Sequence, residues 1–220
     1  MHFEILVEDV SGKKMLDILV PKILGEGTGR TFRVIPYKGI GRIPPGLKGE
    51  ADPAKRILLD RLPKVLQGYG NTPSYRDGDS VVFVVCDLDD KCLKVFRQEL
   101  LAVLERCDPR PETRFCIAIQ EGEAWLLGDI LACARADFPS NLSAVGSFIR
   151  DNRRGIGGTW EHLADIRYPG GAKALKKRGW QAVGAEKFRW AETISPHVDV
   201  DRNDSESFQY FRKKLLELAG

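Results

Sequence analysis

Apolar and polar positions fall into blocks whose period changes along the chain. Residues 3–7 form a short apolar run, followed at once by Glu8-Asp9. The next segment carries Met15, Leu16, Leu19, Ile23 and Leu24 at helical spacing. Ser11 is its expected cap, Gly25 its expected stop, and Pro21 its expected bend. Residues 31–37 read as a second strand. Residues 38–52, KGIGRIPPGLKGEAD, are rich in glycine and proline and have no helical period, which predicts a long loop. Asp52-Pro53 then reads as a cap followed by proline at the first helical position. That helix is expected to run through Ile57, Leu58, Leu62 and Val65 and to stop near Gly68.

Residues 80–86, SVVFVVC, are continuously apolar and β-branched. Such a run predicts a strand buried on both faces, as central parallel strands are. It ends abruptly in Asp87-Leu88-Asp89-Asp90. A helix with Cys92, Val95, Phe96, Leu100, Val103, Leu104 and Cys107 on one stripe follows. Residues 114–119 predict a fourth strand, running into Glu121-Gly122-Glu123-Ala124-Trp125 and a helix to about Ala134. Strands alternating with helices four times predict an α/β fold: a mostly parallel, Rossmann-like sheet flanked by helices, over residues 1–135. Right-handed crossovers then collect Glu8, Asp87 and residues 120–123 along one sheet edge, where open α/β sheets bind ligands. Residues 136–220 are less regular. RRGIGGTW and RYPGGAKAL read as glycine-rich turns, and Asn203-Asp204-Ser205 caps a last helix with Phe208, Phe211, Leu215 and Leu218 on its apolar face. This part is expected to be a mainly helical extension packed on the core.

Composition adds limits. No apolar stretch approaches membrane-spanning length, and the first residues lack a signal pattern, so a cytoplasmic protein without a membrane partner is expected. Five cysteines, without a C-x-x-C pair, argue against a disulfide frame, and three scattered histidines argue against zinc. The net charge is +3, but residues 135–190 hold eleven Lys/Arg against five Asp/Glu, a local +6. That stretch is a candidate surface for nucleic acid.

The acids at the strand ends carry the chemistry. Carboxylates clustered at a strand tip repel one another and are poorly solvated, so they bind a cation or hold a proton. Mg²⁺, or Mn²⁺ in its place, takes one or two carboxylates and works beside substrate phosphates. Asp87 and Asp89 sit two residues apart, which aligns their side chains if the backbone stays extended. Glu8 arrives from another strand, and Asp90 and Asp9 lie close enough to support them. Glu123 is a further candidate ligand and Glu121 a supporting acid; for both, the alternative is simple interaction with a helix N-terminus. Asp89 or Asp90 could equally cap the helix that follows. Trp125 reads as core.

These motifs resemble the Toprim domain of topoisomerases, primases and related nucleases, in which an acid closes the first strand and D-x-D closes a later one. LVED, VIPYKGIGRIP, VVFVVCDLDD, IAIQEGEAWLLGD and NDSESF are together similar to a Toprim-related bacterial family, DUF4276, over most of the chain. The resemblance implies Glu8 as acid–base or metal-proximal carboxylate, and Asp87 and Asp89 as metal ligands. It also implies phosphodiester hydrolysis of nucleic acid, with a link to mobile-element or phage defence. Asp9 stands where Toprim proteins usually have glycine.

Phosphodiester cleavage also needs cations. Lys13 and Lys14 beside Glu8, Arg42 in the long loop, and Arg153 and Arg154 in the RGIGG turn are the candidate phosphate contacts. No tyrosine has the context of a topoisomerase nucleophile, which favours hydrolysis over strand passage. GEGTGRT lacks the lysine of a phosphate-binding loop. Two rivals remain: a non-catalytic nucleic-acid-binding module using the basic C-terminal part, and a receiver-like domain phosphorylated on Asp87.

Overall fold

The computed structural model describes residues 1–136 and 158–219, apart from Glu26, Thr28 and Pro53. Four strands form one all-parallel sheet: β1 (His2–Val7), β2 (Thr31–Pro36), β3 (Ser80–Asp87) and β4 (Thr113–Ala118). Their order is β2-β1-β3-β4. Val7 lies opposite Pro36 on one side and Val85 on the other, and Asp87 lies opposite Ala118. The α/β architecture expected from the alternating blocks is therefore present.

Helices cover both faces. α1 (Val10–Leu24) packs on the side chains of Phe3, Ile5, Val81 and Phe83. α2 (Leu58–Gly70) and α3 (Leu93–Glu105) cover Leu6, Val82, Val84 and Cys86 on the opposite face. Period-2 alternation explains the split: odd positions of β1 and β3 face one core and even positions the other.

After β4 come α4 (Glu123–Leu127), α5 (Ile130–Arg135), α6 (Thr159–Arg167), α7 (Gly171–Lys177), α8 (Trp180–Ile194) and α9 (Glu206–Ala219). α8 lies along α1, and α9 against β4. Trp190, Phe208, Phe211 and Leu215 share one core with Phe3, Phe83 and Trp125. The ring of Trp125 stacks on Phe211 at 5.2 Å, and its indole N–H donates to Ser207 Oγ at 2.9 Å, so it is core as expected.

Several local expectations are corrected. Asp9, not Ser11, caps α1: its carboxylate accepts Gly12 N–H at 2.8 Å, and the Ser11 hydroxyl donates to the same group. α2 opens at Leu58 after an extended Ile57, while Asp52 makes a local turn by accepting Ala54 N–H at 2.9 Å. The single helix expected from Glu121 to Ala134 is broken at Gly128-Asp129. There a β-carbon on Gly128 would meet Asn203 Oδ1 at 2.1 Å, and Asp129 starts a new helix by accepting Ala132 N–H. RYPGGAKAL is a turn only through Gly170, and α7 follows. Cys92 is exposed at the start of α3, because the buried stripe is Phe96, Leu100 and Val103. Ser205 does cap α9, accepting Phe208 N–H at 3.4 Å. Among the described residues no helix is long and apolar enough to cross a membrane.

Candidate functional site

In this strand order the chain turns to one side of β1 for β2 and to the other for β3. The crevice at the C-terminal ends of β1 and β3 is thus the topological switch point, where flanking loops part and ligands bind. Glu8 and Asp87 stand there. Each directly follows or ends a buried apolar run, so the strands themselves bring the two acids side by side. Asp87 N–H donates to Glu8 Oε2 at 3.0 Å.

Glu123 enters from the first turn of α4 and is nearly sealed from solvent. Lys187 enters from α8, and its ammonium lies 3.0 Å from Glu123 Oε2. That oxygen has no aligned hydrogen bond, so the contact is a close ion pair and not a directed one. Together the four side chains line a cavity of about 40 Å³, with Met15 and Trp125 among its apolar walls. The space suits a few waters or a small ion.

The electrostatics follow from burial. Desolvation raises the Glu8 carboxyl to about 7; the Asp87 N–H opposes this, and the nearby Asp89 and Asp9 add to it. Desolvation also pushes Asp87 well above the ordinary carboxylate range, with Glu8 and Glu123 pushing the same way. Asp87 is deeply surrounded but keeps some surface open to the cavity. Its carboxylate accepts no hydrogen bond among the described residues. Glu123 is raised by burial against the pull of Lys187. Burial works against the Lys187 charge, yet Glu123, Glu121 and Asp87 outweigh it and hold the ammonium above its usual range. One cation thus serves several acids, and without a second cation Glu8 and Asp87 meet the shortfall by holding protons.

The remaining candidates are placed elsewhere. β3 ends at Asp87, and Asp89 adopts φ 48°, so the extended geometry needed to align the D-x-D pair is lost. Asp89 pairs with Lys91 at 3.2 Å and is outside the cavity wall, although its charge is felt by Glu8. Asp90 is exposed in the same turn. Asp9 lines the cavity but is engaged as the α1 cap. Glu121 accepts from Thr159 Oγ1 at 2.7 Å and Trp160 N–H at 3.1 Å, so it caps α6. Lys13 pairs with Asp17 at 2.6 Å and Lys14 with Glu192 at 2.8 Å, which turns both away from the acids. Arg42 is exposed in the long loop, where its backbone N–H bonds Asp60. Arg153 and Arg154 lie outside the described residues.

Two features escaped the sequence reading. Lys187 is the first. α8 buries Val183, Trp190, Ala191 and Ile194, and Lys187 falls on the same stripe, four residues after Val183 and three before Trp190. A lysine in an apolar stripe was the available signal. The second is backbone strain at the edge. Gln120 takes φ 72° and its carbonyl accepts Asp89 N–H at 3.1 Å, so two left-handed non-glycine residues are tied together beside the acids. Such strain persists where surrounding structure enforces it and clusters at functional sites.

For a metal, the donor chemistry fits a hard divalent cation, since Glu8 and Asp87 offer carboxylate oxygens and Mg²⁺ needs only one or two. The four-acid set of Glu8, Asp87, Asp89 and Glu123 is not assembled. Among the described residues no three His, Cys, Asp or Glu side chains are grouped to hold an ion. The fold and site together define an α/β protein with a carboxylate–lysine pocket at the switch point of a parallel sheet. In comparisons with known proteins, the chain matches no family model, no curated protein and no solved structure.

Proposed function

We propose that this pocket carries out Mg²⁺- or Mn²⁺-dependent hydrolysis of a nucleic-acid phosphodiester, as the resemblance to Toprim nucleases implies. The observation supporting it is the Glu8–Asp87 pair: two adjoining carboxyls at the switch point, open to a cavity and short of positive charge. A divalent ion held there by Asp87, with Glu8 alongside, would supply Lewis-acid activation of the phosphate. Glu8, raised to about 7, is suited to take the proton of the attacking water. Lys187 offers an ammonium to a phosphate oxygen, a role that the sequence reading gave to Lys13 and Lys14.

The test is a Mg²⁺ and Mn²⁺ titration of wild type against a Glu8→Gln/Asp87→Asn double variant, paired with a cleavage assay on labelled DNA and RNA. Saturable binding and cleavage confined to wild type are expected. Equal weak binding and no cleavage in either protein would end the proposal. A second reading has one specific point in its favour: a lysine beside a strand-end aspartate also suits phosphorylation of Asp87. A phosphoryl mass increase on Asp87 after acetyl phosphate treatment would favour that reading.

A further inference from the structure

Beyond the pocket, the most unusual surface is the junction of α6, α7 and α8. Trp180 opens α8 with 71% of its surface exposed, whereas Trp125, Trp160 and Trp190 are all buried. Its ring has two neighbours. Trp160 meets it edge-on at 6.1 Å, and the Lys176 ammonium lies 5.3 Å from the Trp160 ring and 5.8 Å from that of Trp180. Lys176 is held from the other side by Glu161 at 3.4 Å. Lys173, Lys177 and Arg178, its neighbours in sequence, are exposed, and Arg178 donates to Tyr168 Oη at 2.7 Å. Only the aromatic face is costly to leave in water, while the cations near it are well solvated. Together they match the requirements of a splayed base with phosphates on either side.

This surface shares α8 with the pocket. Trp180 and Lys187 are seven residues apart on α8, two helical turns, which places them on one side of the helix about 10 Å apart. Trp160, under Trp180, donates its backbone N–H to Glu121, the acid whose charge is felt by Asp87 and Lys187. We infer that Trp180, with Lys176 beside it and Lys173, Lys177 and Arg178 close in sequence, is a stacking platform for single-stranded nucleic acid, feeding the strand toward the carboxylate–lysine pocket. The inference rests on the phosphodiester reading for its direction of feed, but not for the binding itself. A duplex keeps its bases stacked inside, so the platform selects single strands.

Binding is measured on the full chain in EDTA, so that cleavage plays no part, by anisotropy of a labelled 20-nucleotide single strand, as DNA and as RNA, and of the matching duplex. Wild type should prefer the single strand, and the strand should quench the one exposed tryptophan. Trp180→Ala should weaken single-strand binding about tenfold and abolish the quenching; Trp180→Phe should recover most of the affinity. Lys173→Glu/Lys177→Glu should weaken binding and flatten its salt dependence. Unchanged single-strand affinity in Trp180→Ala, or duplex preference in wild type, overturns the platform. The two readings fail separately. Trp180-dependent binding without metal-dependent cleavage removes hydrolysis and keeps the platform. Asp87-dependent cleavage that Trp180→Ala leaves untouched on single strands does the reverse.

Discussion

Strand β1 carries one acid, Glu4, and delivers a second, Glu8, just past its end, with opposite fates. Glu4 is fully buried, yet its carboxylate is satisfied: Arg33 grips both oxygens at 2.7 and 2.8 Å, and Tyr75 Oη donates at 3.0 Å. Burial, and then Glu4 itself, push the Tyr75 hydroxyl up to about 12, so the phenol stays a donor throughout the working range. Among the described residues Glu8 receives one backbone N–H, and its neighbour Asp87 receives none on its carboxylate. A paired buried acid is part of the scaffold. An acid pair short of cations either binds one or holds protons, and that makes it a candidate site.

The largest expected effect separates the two acids by activity. Asp87→Asn or Glu8→Gln should lower metal-dependent cleavage about a hundredfold or more while leaving the fold intact. Thermal midpoints in EDTA should hold or rise, because each change replaces an acid whose charged form the native state accommodates poorly. A cleavage rate within a few-fold of wild type would make Glu8 as structural as Glu4.

Arg33→Met probes the other acid. It strands the Glu4 carboxylate with a single phenol donor and should destabilise the fold by about 2–3 kcal/mol in urea titration. The figure stays at the low end because the Arg33 side chain is 64% exposed, so water can replace part of the lost contact. Cleavage per folded molecule should be unchanged. Destabilisation near zero would mean that Tyr75, with His2 3.7 Å away, satisfies Glu4 without Arg33.

How much of this contrast was legible in the sequence depended on how local each cause was. The strands and the flanking helices follow from unbroken apolar runs and 3.6-residue stripes, and Glu8 and Asp87 announce themselves because each sits at the end of such a run. The Asp87–Asp89 pairing was misread because two-residue spacing aligns side chains only while the strand continues, and β3 stops at Asp87. Lys187 was hidden for the opposite reason: its partner Glu123 lies 64 positions earlier, and the packing of α8 against α1 and α4 brings them together. The Glu4–Arg33 pair is likewise a product of β1–β2 register, in which those two residues lie opposite one another.

Proton linkage gives a smaller effect with a definite sign. In metal-free protein Glu8 holds its proton up to about pH 7, whereas an unfolded glutamate releases it near 4.5. Between those values the native state binds more protons than the unfolded chain, so stability falls as pH rises through the window. Asp87, also raised, bends the curve the same way. The expected loss is on the order of 1 kcal/mol between pH 5 and pH 8, reduced from the full shift because Glu8 retains some solvent contact. Glu8→Gln should flatten it. Because Mg²⁺ must displace the same protons, its affinity should strengthen over that interval. Stability that rises with pH in EDTA would contradict the burial assigned to both acids.

The smallest effect concerns the lysines nearest Glu8 in sequence. Lys13–Asp17 is an exposed pair one helical turn apart, and Lys14–Glu192 bridges α1 to α8 at the surface. Exposed ion pairs contribute roughly 0–1 kcal/mol, since water already solvates both charges and two long side chains must be ordered. Lys13→Ala and Lys14→Ala should therefore shift the urea midpoint barely, Lys14→Ala slightly more because it also loses the Phe188 ring, 5.5 Å from the ammonium. Neither should change cleavage, whereas Lys187→Met, which removes the one lysine that the described residues place in the cavity wall, should. A many-fold loss of cleavage in Lys13→Ala would mean that this ammonium leaves Asp17 and swings to the acids. The sequence-adjacent lysine, not the one delivered by α8, would then serve the phosphate.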